Sequence, residues 1–365
     1  MQPSTYFSAS YREARRHFLE AARGIGAAPR AEIIPAAGPA GEELATDVLR
    51  IGPARAERVL VTICGTHGVE GYCGSGVQVG WLESGLWREV PHEGPGAIAQ
   101  VLIHAINPYG FAWNRRVNED NVDLNRNFVD FDSPLPLNAG YERLHGALCP
   151  SDWSEETVEA ARVASDLFAE EQGAHGLQAA VSGGQYRHAD GLFFGGERPV
   201  WSRGTLLSIL SRELAGARRV AVVDYHTGLG PYGYGERIAI HRPGSAAEQR
   251  VAAWYDGDVT NPAAGTSTSA PLSGTISDGL ERHFPALELG MIALEYGTEP
   301  VPEVLESLRA DNWLHNHGDP ATPLGREIKA RVRNAFYGDT DGWKQAIWER
   351  ALATQRQAVA ALAEG

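Results

Sequence analysis

The chain has 365 residues, of which 43% are apolar and 21% charged, and its formal net charge is -14. That length buries a large core and fits one big α/β domain or two ordinary ones, and the composition is that of an ordinary globular protein. The acidic balance excludes the basic face that nucleic acid and anionic membranes require.

In chain order, Tyr6, Phe7, Tyr11, Ala14, Phe18 and Leu19 recur at helical spacing over residues 5–24, with Gly24 as the stop. Residues 27–41 are rich in Ala, Pro and Gly and read as irregular. Strands are expected at 46–51 and 58–63, with a turn at Gly52-Pro53 between them. A glycine-rich helix follows over 70–86, then a buried strand over 101–106 that ends in the turn Asn107-Pro108-Tyr109-Gly110. Residues 113–132 are crowded with Asn, Arg and Asp, and a polar loop of that length marks a functional segment. Helices are expected at 155–171, 201–214, 302–315, 326–336 and 343–362, and strands at 219–225, 237–240 and 291–294. Strands alternating with helices specify a sheet covered on both faces. No internal repeat or composition break divides the chain.

Cys64, Cys73 and Cys149 are odd in number and irregular in spacing, so no disulfide framework is expected. No stretch approaches the roughly 18 apolar residues of a membrane span. The opening Met1-Gln2-Pro3-Ser4-Thr5-Tyr6 lacks the charged-then-apolar pattern of a signal peptide. The expected location is a reducing cytoplasm.

Three strand ends carry residues with metal or acid–base chemistry. The run Val59 to Ile63 leads into Cys64-Gly65-Thr66-His67-Gly68-Val69-Glu70, where an imidazole and a carboxylate three apart close on one ion from the same side of a turn. The strand ending at Tyr225 runs directly into His226, and the strand ending at Leu294 into Glu295. Ligands in open α/β folds gather beyond such strand ends. Two His and one Glu leave the fourth position of a tetrahedral zinc open, the catalytic pattern. Glu295 closes a very apolar strand and is the candidate general base. Cys64 and Cys73 are weaker ligand candidates, and His104, His188, His241 and His283 read as structural because none has a partner at short ligand spacing. The loop from Asn114 to Phe128 supplies fixed guanidinium charge suited to a carboxylate or an oxyanion.

The ordered set His67-x-x-Glu70, Asp123-Leu124-Asn125-Arg126-Asn127-Phe128, Asp224-Tyr225-His226-Thr227-Gly228 and Leu294-Glu295 resembles the M14 zinc carboxypeptidase superfamily. It is most similar to the bacterial branch labelled as a domain of unknown function, DUF2817, over about residues 5–335, a branch that also accounts for Gly184-Gln185-Tyr186 and residues 191–196. The resemblance implies a single doubly wound α/β domain over residues 1–365, with a mixed, mostly parallel sheet covered by helices on both faces. A helical and irregular segment, 1–45, would precede the sheet, and C-terminal helices would fill 302–363. It implies one Zn2+ held by His67, Glu70 and His226, with Glu295 as base. Arg116, with Arg115 as a rival, would polarise the scissile carbonyl, and Asn125 and Arg126 would hold a terminal carboxylate. Leu280 stands where digestive members of the superfamily carry a mobile Tyr, which leaves Tyr232, Tyr234 or Tyr296 as substitutes.

The expected activity is zinc-dependent hydrolysis of an amide bond beside a free carboxylate, in a small peptide or an N-acyl amino acid. The alternative within the same chemistry is an N-acyl amino acid deacylase of the aspartoacylase or succinylglutamate desuccinylase type. A serine hydrolase fails for want of Gly-x-Ser-x-Gly, since Cys73-Gly74-Ser75-Gly76-Val77 lacks both flanking glycines. A metal-free carboxylate-binding protein is the non-enzymatic alternative. No nucleic-acid or membrane partner is expected.

Overall fold

In the computed structural model, which describes residues 2–94 and 96–364, the runs of Val, Ile and Leu become strands of one mixed sheet. The elements in order are α1 (Tyr11–Gly24), β1 (Arg30–Ala37), β2 (Glu43–Ile51), β3 (Arg58–Ile63), α2 (Gly71–Glu83), β4 (Ile98–His104) and α3 (Pro108–Ala112). They continue with α4 (Ala139–Leu148), α5 (Glu155–Ser182), α6 (Trp201–Glu213), β5 (Arg219–Tyr232), β6 (Gly235–Ile238), α7 (Ala246–Trp254) and α8 (Ile276–His283). The last are β7 (Glu288–Gly297), α9 (Val301–His317), α10 (Pro323–Phe336) and α11 (Asp341–Ala363).

The strand order is β1-β2-β4-β3-β5-β7-β6. The central four, β4, β3, β5 and β7, are mutually parallel, and β1, β2 and β6 add antiparallel edges. Each central strand is buried on both faces and deals its side chains alternately to two cores. Val59, Val61, Ile63, Val220, Val222, Leu289 and Met291 pack with α6 and α8. Leu60, Ala221, Val223, Tyr225, Ile292, Leu294 and Tyr296 pack with α1, α2 and α11 on the other face. A third cluster, formed by α4, α5, α9 and α10, includes Val69 from the turn beyond β3.

The stretch expected to be irregular contains β1. Pro35 sits there in an edge strand, where the register shifts between Ile33 and Ala37, so its missing N–H interrupts no central ladder. The first helix begins at Tyr11, later than the apolar spacing suggested, because the Ser10 side chain caps it by accepting from Glu13 N at 3.2 Å. Helices α4, α7 and α8 were not expected, yet each begins at a cap legible in the sequence. Asn138 accepts from Tyr141 N, Ser245 from Glu248 N, and Thr275 and Asp278 form a capping box. Helix α5 runs past 171 to Ser182, with a break at Gly173, whose φ is 78°. Among the described residues no helix is long and apolar enough to cross a membrane.

The turn after β3 is clamped to the polar loop. Gly68 N donates to Arg116 O at 3.0 Å and Val69 N to Arg115 O at 2.8 Å. A methyl group on Gly68 would overlap the backbone of Gly110 and Phe111, which cannot swing away as a side-chain tip can. Gly68→Ala is therefore expected to cost about 1–3 kcal/mol, as overpacking does, read as a lower melting temperature. An unchanged melting temperature would show that these two backbone segments spread freely.

Candidate metal centre

The strand register assembles the site. Ile63 at the end of β3 lies level with Asp224 of β5, and His226 of β5 lies level with Glu295 of β7. The short 3-10 turn Gly68–Glu70 then brings Glu70 back beneath His67. His67, Glu70 and His226 are all buried, and one donor atom of each lies within 4.8 Å of the others. His67 Nδ1 is 2.9 Å from Glu70 Oε1, His226 Nδ1 is 3.0 Å from Glu70 Oε2, and the two Nδ1 atoms are 3.2 Å apart. Two imidazole nitrogens sharing a tetrahedral zinc at about 2.0–2.1 Å each stand about 3.3 Å apart, so the donor set fits that ion.

Behind each ring stands a carboxylate. Asp224 Oδ2 is 2.9 Å from His226 Nε2, and Asp123 Oδ1 is 3.2 Å from His67 Nε2. At His226 such a partner fixes ring orientation and leaves Nδ1 as the ligating nitrogen, whereas His67 Nε2 also lies 2.8 Å from Arg116 Nη2, a group that can only donate. Thr66 Oγ1 donates to Asp224 at 2.9 Å, and Thr227 N donates to Glu70 Oε2 at 3.1 Å. Burial alone would raise the Glu70 carboxyl, but the adjacent His67 and the bonds from both imidazoles hold it well below the ordinary carboxylate range. Asp123 is likewise held low, against the pull of burial, by Arg116 and His67. His226 is raised, although burial opposes it, chiefly by Asp224. Neither Asp123 nor Asp224 had been given a role from sequence. The signal was there: Asp224 is two before His226 in a strand, so both side chains leave the same face.

Arg116 lies among these groups, with Nη1 donating to Glu70 Oε1 at 2.8 Å and Nε to Asp123 Oδ2 at 3.1 Å. Arg115 does not reach the site. Its Nε donates to Asp311 Oδ2 at 3.0 Å and its Nη2 to Asn121 Oδ1 at 2.8 Å, in a buried ion cluster completed by Lys329. Arg115 therefore drops out of the substrate-binding set, and of the two neighbours it is Arg116 that faces the cavity.

That cavity, of about 560 Å3, is lined by His67, His226, Arg116, Asn125, Arg126 and Glu295 at its polar end. Arg126 is pre-set by carbonyls. Its Nε and Nη2 donate to Ser182 O and its Nη1 to Asn125 O. Three of the roughly five N–H groups of a guanidinium are thus engaged, and one on each Nη is left for a ligand. Asn125 Oδ1 accepts from Ile276 N at 2.9 Å, so its side chain braces the loop rather than facing the ligand fully. Phe193 packs beside both guanidiniums, with ring centroids 5.2 Å from Arg116 and 5.8 Å from Arg126, and holds φ at 52°, a strained value for an aromatic residue.

Glu295 Oε1 accepts from Leu229 N at 3.1 Å. Burial first, then the charge of Glu70, pushes its carboxyl up to about 8. None of the tyrosines offered as substitutes lines the cavity. Tyr296 is buried against Ile347 O, Tyr232 bonds Thr340, and Tyr234 lies beside Arg350. Leu280 is buried in α8. Cys64 is also turned away, its Sγ accepting from Ala105 N at 3.2 Å. His188, read as structural, joins His145 and Asp190 in a second group of three donors within 4.8 Å. There the imidazoles stack at 3.7 Å and His188 Nε2 is 3.2 Å from Glu142 Oε2, but Asp190 is exposed and His145 Nδ1 has no partner among the described residues, so this group is more open to solvent and less completely braced than the first.

Fold and centre together define an α/β protein with a mixed, mostly parallel seven-stranded sheet and a buried histidine–glutamate cluster at its strand ends. The chain belongs to the family described as Protein of unknown function (DUF2817), whose model matches residues 7–350. The structure of thrombin activatable fibrinolysis inhibitor is similar, with a TM-score of 0.50 at 11% identity over 98% of this chain and 74% of that one. Bovine thrombin-activatable fibrinolysis inhibitor in complex with tick carboxypeptidase inhibitor gives 0.47 at 11% identity, over 95% of this chain and 98% of that one. Carboxypeptidase A from Helicoverpa armigera gives 0.44 at 14% identity, over 90% and 74%. No curated protein matches the sequence.

Two outcomes follow. Asp123→Asn, which keeps the shape but weakens the hold on His67, is expected to lower zinc affinity about 10- to 100-fold in a competition titration. Asp311→Ala leaves Arg115 and Lys329 without their shared counter-charge and is expected to cost about 3–5 kcal/mol in a denaturant titration. Asp311 is held below its ordinary value of 3.8 despite burial, by Lys329 and Arg115. Its contribution is therefore complete above that value and fades as the pH falls through the lower, folded one.

Proposed function

We propose that the protein is a zinc-dependent hydrolase that cleaves an amide bond beside a free carboxylate, in a small peptide or an N-acyl amino acid. One observation carries this reading: His67, Glu70 and His226 converge within 4.8 Å, in a cavity that also holds Glu295, Arg116 and Arg126. When bound, zinc supplies Lewis acidity and brings the ionisation of water close to neutral pH. Arg126 receives the substrate's carboxylate on its two remaining N–H groups, with Asn125 steadying the loop beneath. Arg116 presents positive charge to the carbonyl oxygen as it gains electron density. Glu295 is anchored through Oε1, which leaves Oε2 to take a proton from the attacking water and pass it to the leaving nitrogen. A C–O bond forms, the C–N bond breaks, and a carboxylic acid and an amine leave. Three free cysteines suit a reducing compartment, and a cytoplasmic location goes with this reading.

The test is steady-state kinetics on N-acyl amino acids and dipeptides, with C-terminal amides as controls. Glu295→Gln is expected to lower kcat about 10²- to 10⁴-fold with little change in KM. Arg126→Ala is expected to raise KM roughly tenfold to a hundredfold and to erase the preference for carboxylates over amides. A variant lacking Arg126 that still prefers carboxylates overturns its role. Activity that survives a chelator overturns the metal reading.

A further inference from the structure

Beyond its polar end the cavity is lined largely by apolar side chains, although α5 also reaches Arg126, through Ser182 O. Leu177 and Val181 of α5, Val304, Leu305 and Leu308 of α9, and Phe336 at the end of α10 face the cavity. The two ends of the chamber lie on opposite flanks of the His226–Glu295 pair. Asn125 and Arg126 abut the start of α8, where Ile276 N bonds Asn125. Phe336 abuts the residues just after His226, with Thr227 Oγ1 donating to Phe336 O at 2.6 Å and any side chain on Gly228 overlapping the Phe336 ring. A substrate held by its carboxylate at Arg126, with its amide over the cluster, sends its acyl portion along the α9 wall toward Phe336.

We infer that this wall is an acyl-chain subsite, and that the substrates are N-acyl amino acids whose acyl group is a medium or long alkyl or aryl chain. The inference rests on the hydrolase reading above and names its substrate class. A peptide lying along the same wall would bring backbone N–H and C=O groups that need partners when buried. Apart from the exposed His175, the polar side chains at this end already have partners. Gln178 Nε2 donates to Thr268 O, and the Thr227 hydroxyl is spent on Phe336. An alkyl chain asks for no partners. A cavity of about 560 Å3 falls within the range of about 300–1,000 Å3 that encloses a drug-sized ligand. Val301, an exposed apolar residue that also lines the cavity, continues the apolar surface to the outside. The reaction stays balanced as above: water adds to the acyl carbonyl, the C–N bond breaks, and a fatty or aryl carboxylate and a free amino acid are released.

The test uses zinc-loaded protein and paired N-acetyl and N-octanoyl derivatives of glycine, leucine, phenylalanine and aspartate, with tripeptides ending in the same residues. Each buried methylene contributes roughly fourfold, so kcat/KM is expected to favour octanoyl over acetyl by at least about tenfold, and octanoyl over tripeptide likewise. Leu305→Trp and Leu177→Trp fill the chamber from two separate helices, and each is expected to lower the octanoyl-to-acetyl ratio about tenfold, with melting temperature as the folding control. Calorimetry with octanoate and acetate reads the chamber without catalysis. Octanoate is expected to bind at least tenfold tighter, and both Trp variants are expected to abolish the difference. Acetyl or tripeptide substrates cleaved as well as octanoyl ones overturn the inference and leave the hydrolase reading standing. No hydrolysis of any substrate, with octanoate still bound tightly and sensitively to both variants, overturns the hydrolase reading and keeps the apolar subsite.

Discussion

Everything at the strand ends depends on one buried carboxylate. Glu70 is 1% exposed and sits between two imidazoles. Removing such a charge from water is costly unless it is matched nearly atom for atom. Here both oxygens are matched: Oε1 by His67 and Arg116, Oε2 by His226 and the Thr227 amide. The matching groups come from the turn after β3, the polar loop and β5, so the carboxylate binds together segments far apart in sequence. Asp123 and Asp224 then hold the outer nitrogens of the two rings. The result is a polar island whose internal geometry is set before any ligand arrives, which is the condition for selective metal binding.

Much of this was legible beforehand, for physical reasons. The central strands are continuous apolar runs, so their positions and the chemistry at their ends stood out. His67, Glu70, His226 and Glu295 stood out because strand ends gather ligands in folds of this kind, and the first three do converge within 4.8 Å. What escaped was set by the partners of a residue rather than by its type. Arg115 and Arg116 are neighbours with identical side chains, and only the position of Asp311, nearly two hundred residues later, decides which of them turns inward. The edge strand β1 was masked by Pro35, a residue tolerated only because that strand has one neighbour. The apolar chamber was invisible for another reason. Leu177, Leu305 and Phe336 each look like ordinary helix-core residues, and only the tertiary arrangement leaves them facing open space.

The cavity combines two solvents in one volume. Its polar end is a lattice of charges already paired with one another, and its far wall offers mainly dispersion contacts. Phe193 stands at the boundary, beside both guanidiniums and in a backbone conformation that costs energy to hold. It shields the arginines from water and so strengthens whatever they hold. Helix α5 forms part of the roof with a leg that begins beyond the break at Gly173, and Gln178 ties that leg to the loop around Thr268.

Alternation along β5 has one more consequence. Val220, Val222, Asp224 and His226 share a face because they are two apart, whereas Val223 and Tyr225 look toward the opposite helices. The centre is therefore a matter of parity. One residue added between Arg219 and Tyr225 would point the imidazole into the hydrophobic layer and set tyrosine in its place, while two added would restore the facing but carry the ring about 6.6 Å along the strand, out of level with Glu295. Length changes in this segment therefore disturb the centre in either parity, through facing in odd steps and through height in even ones.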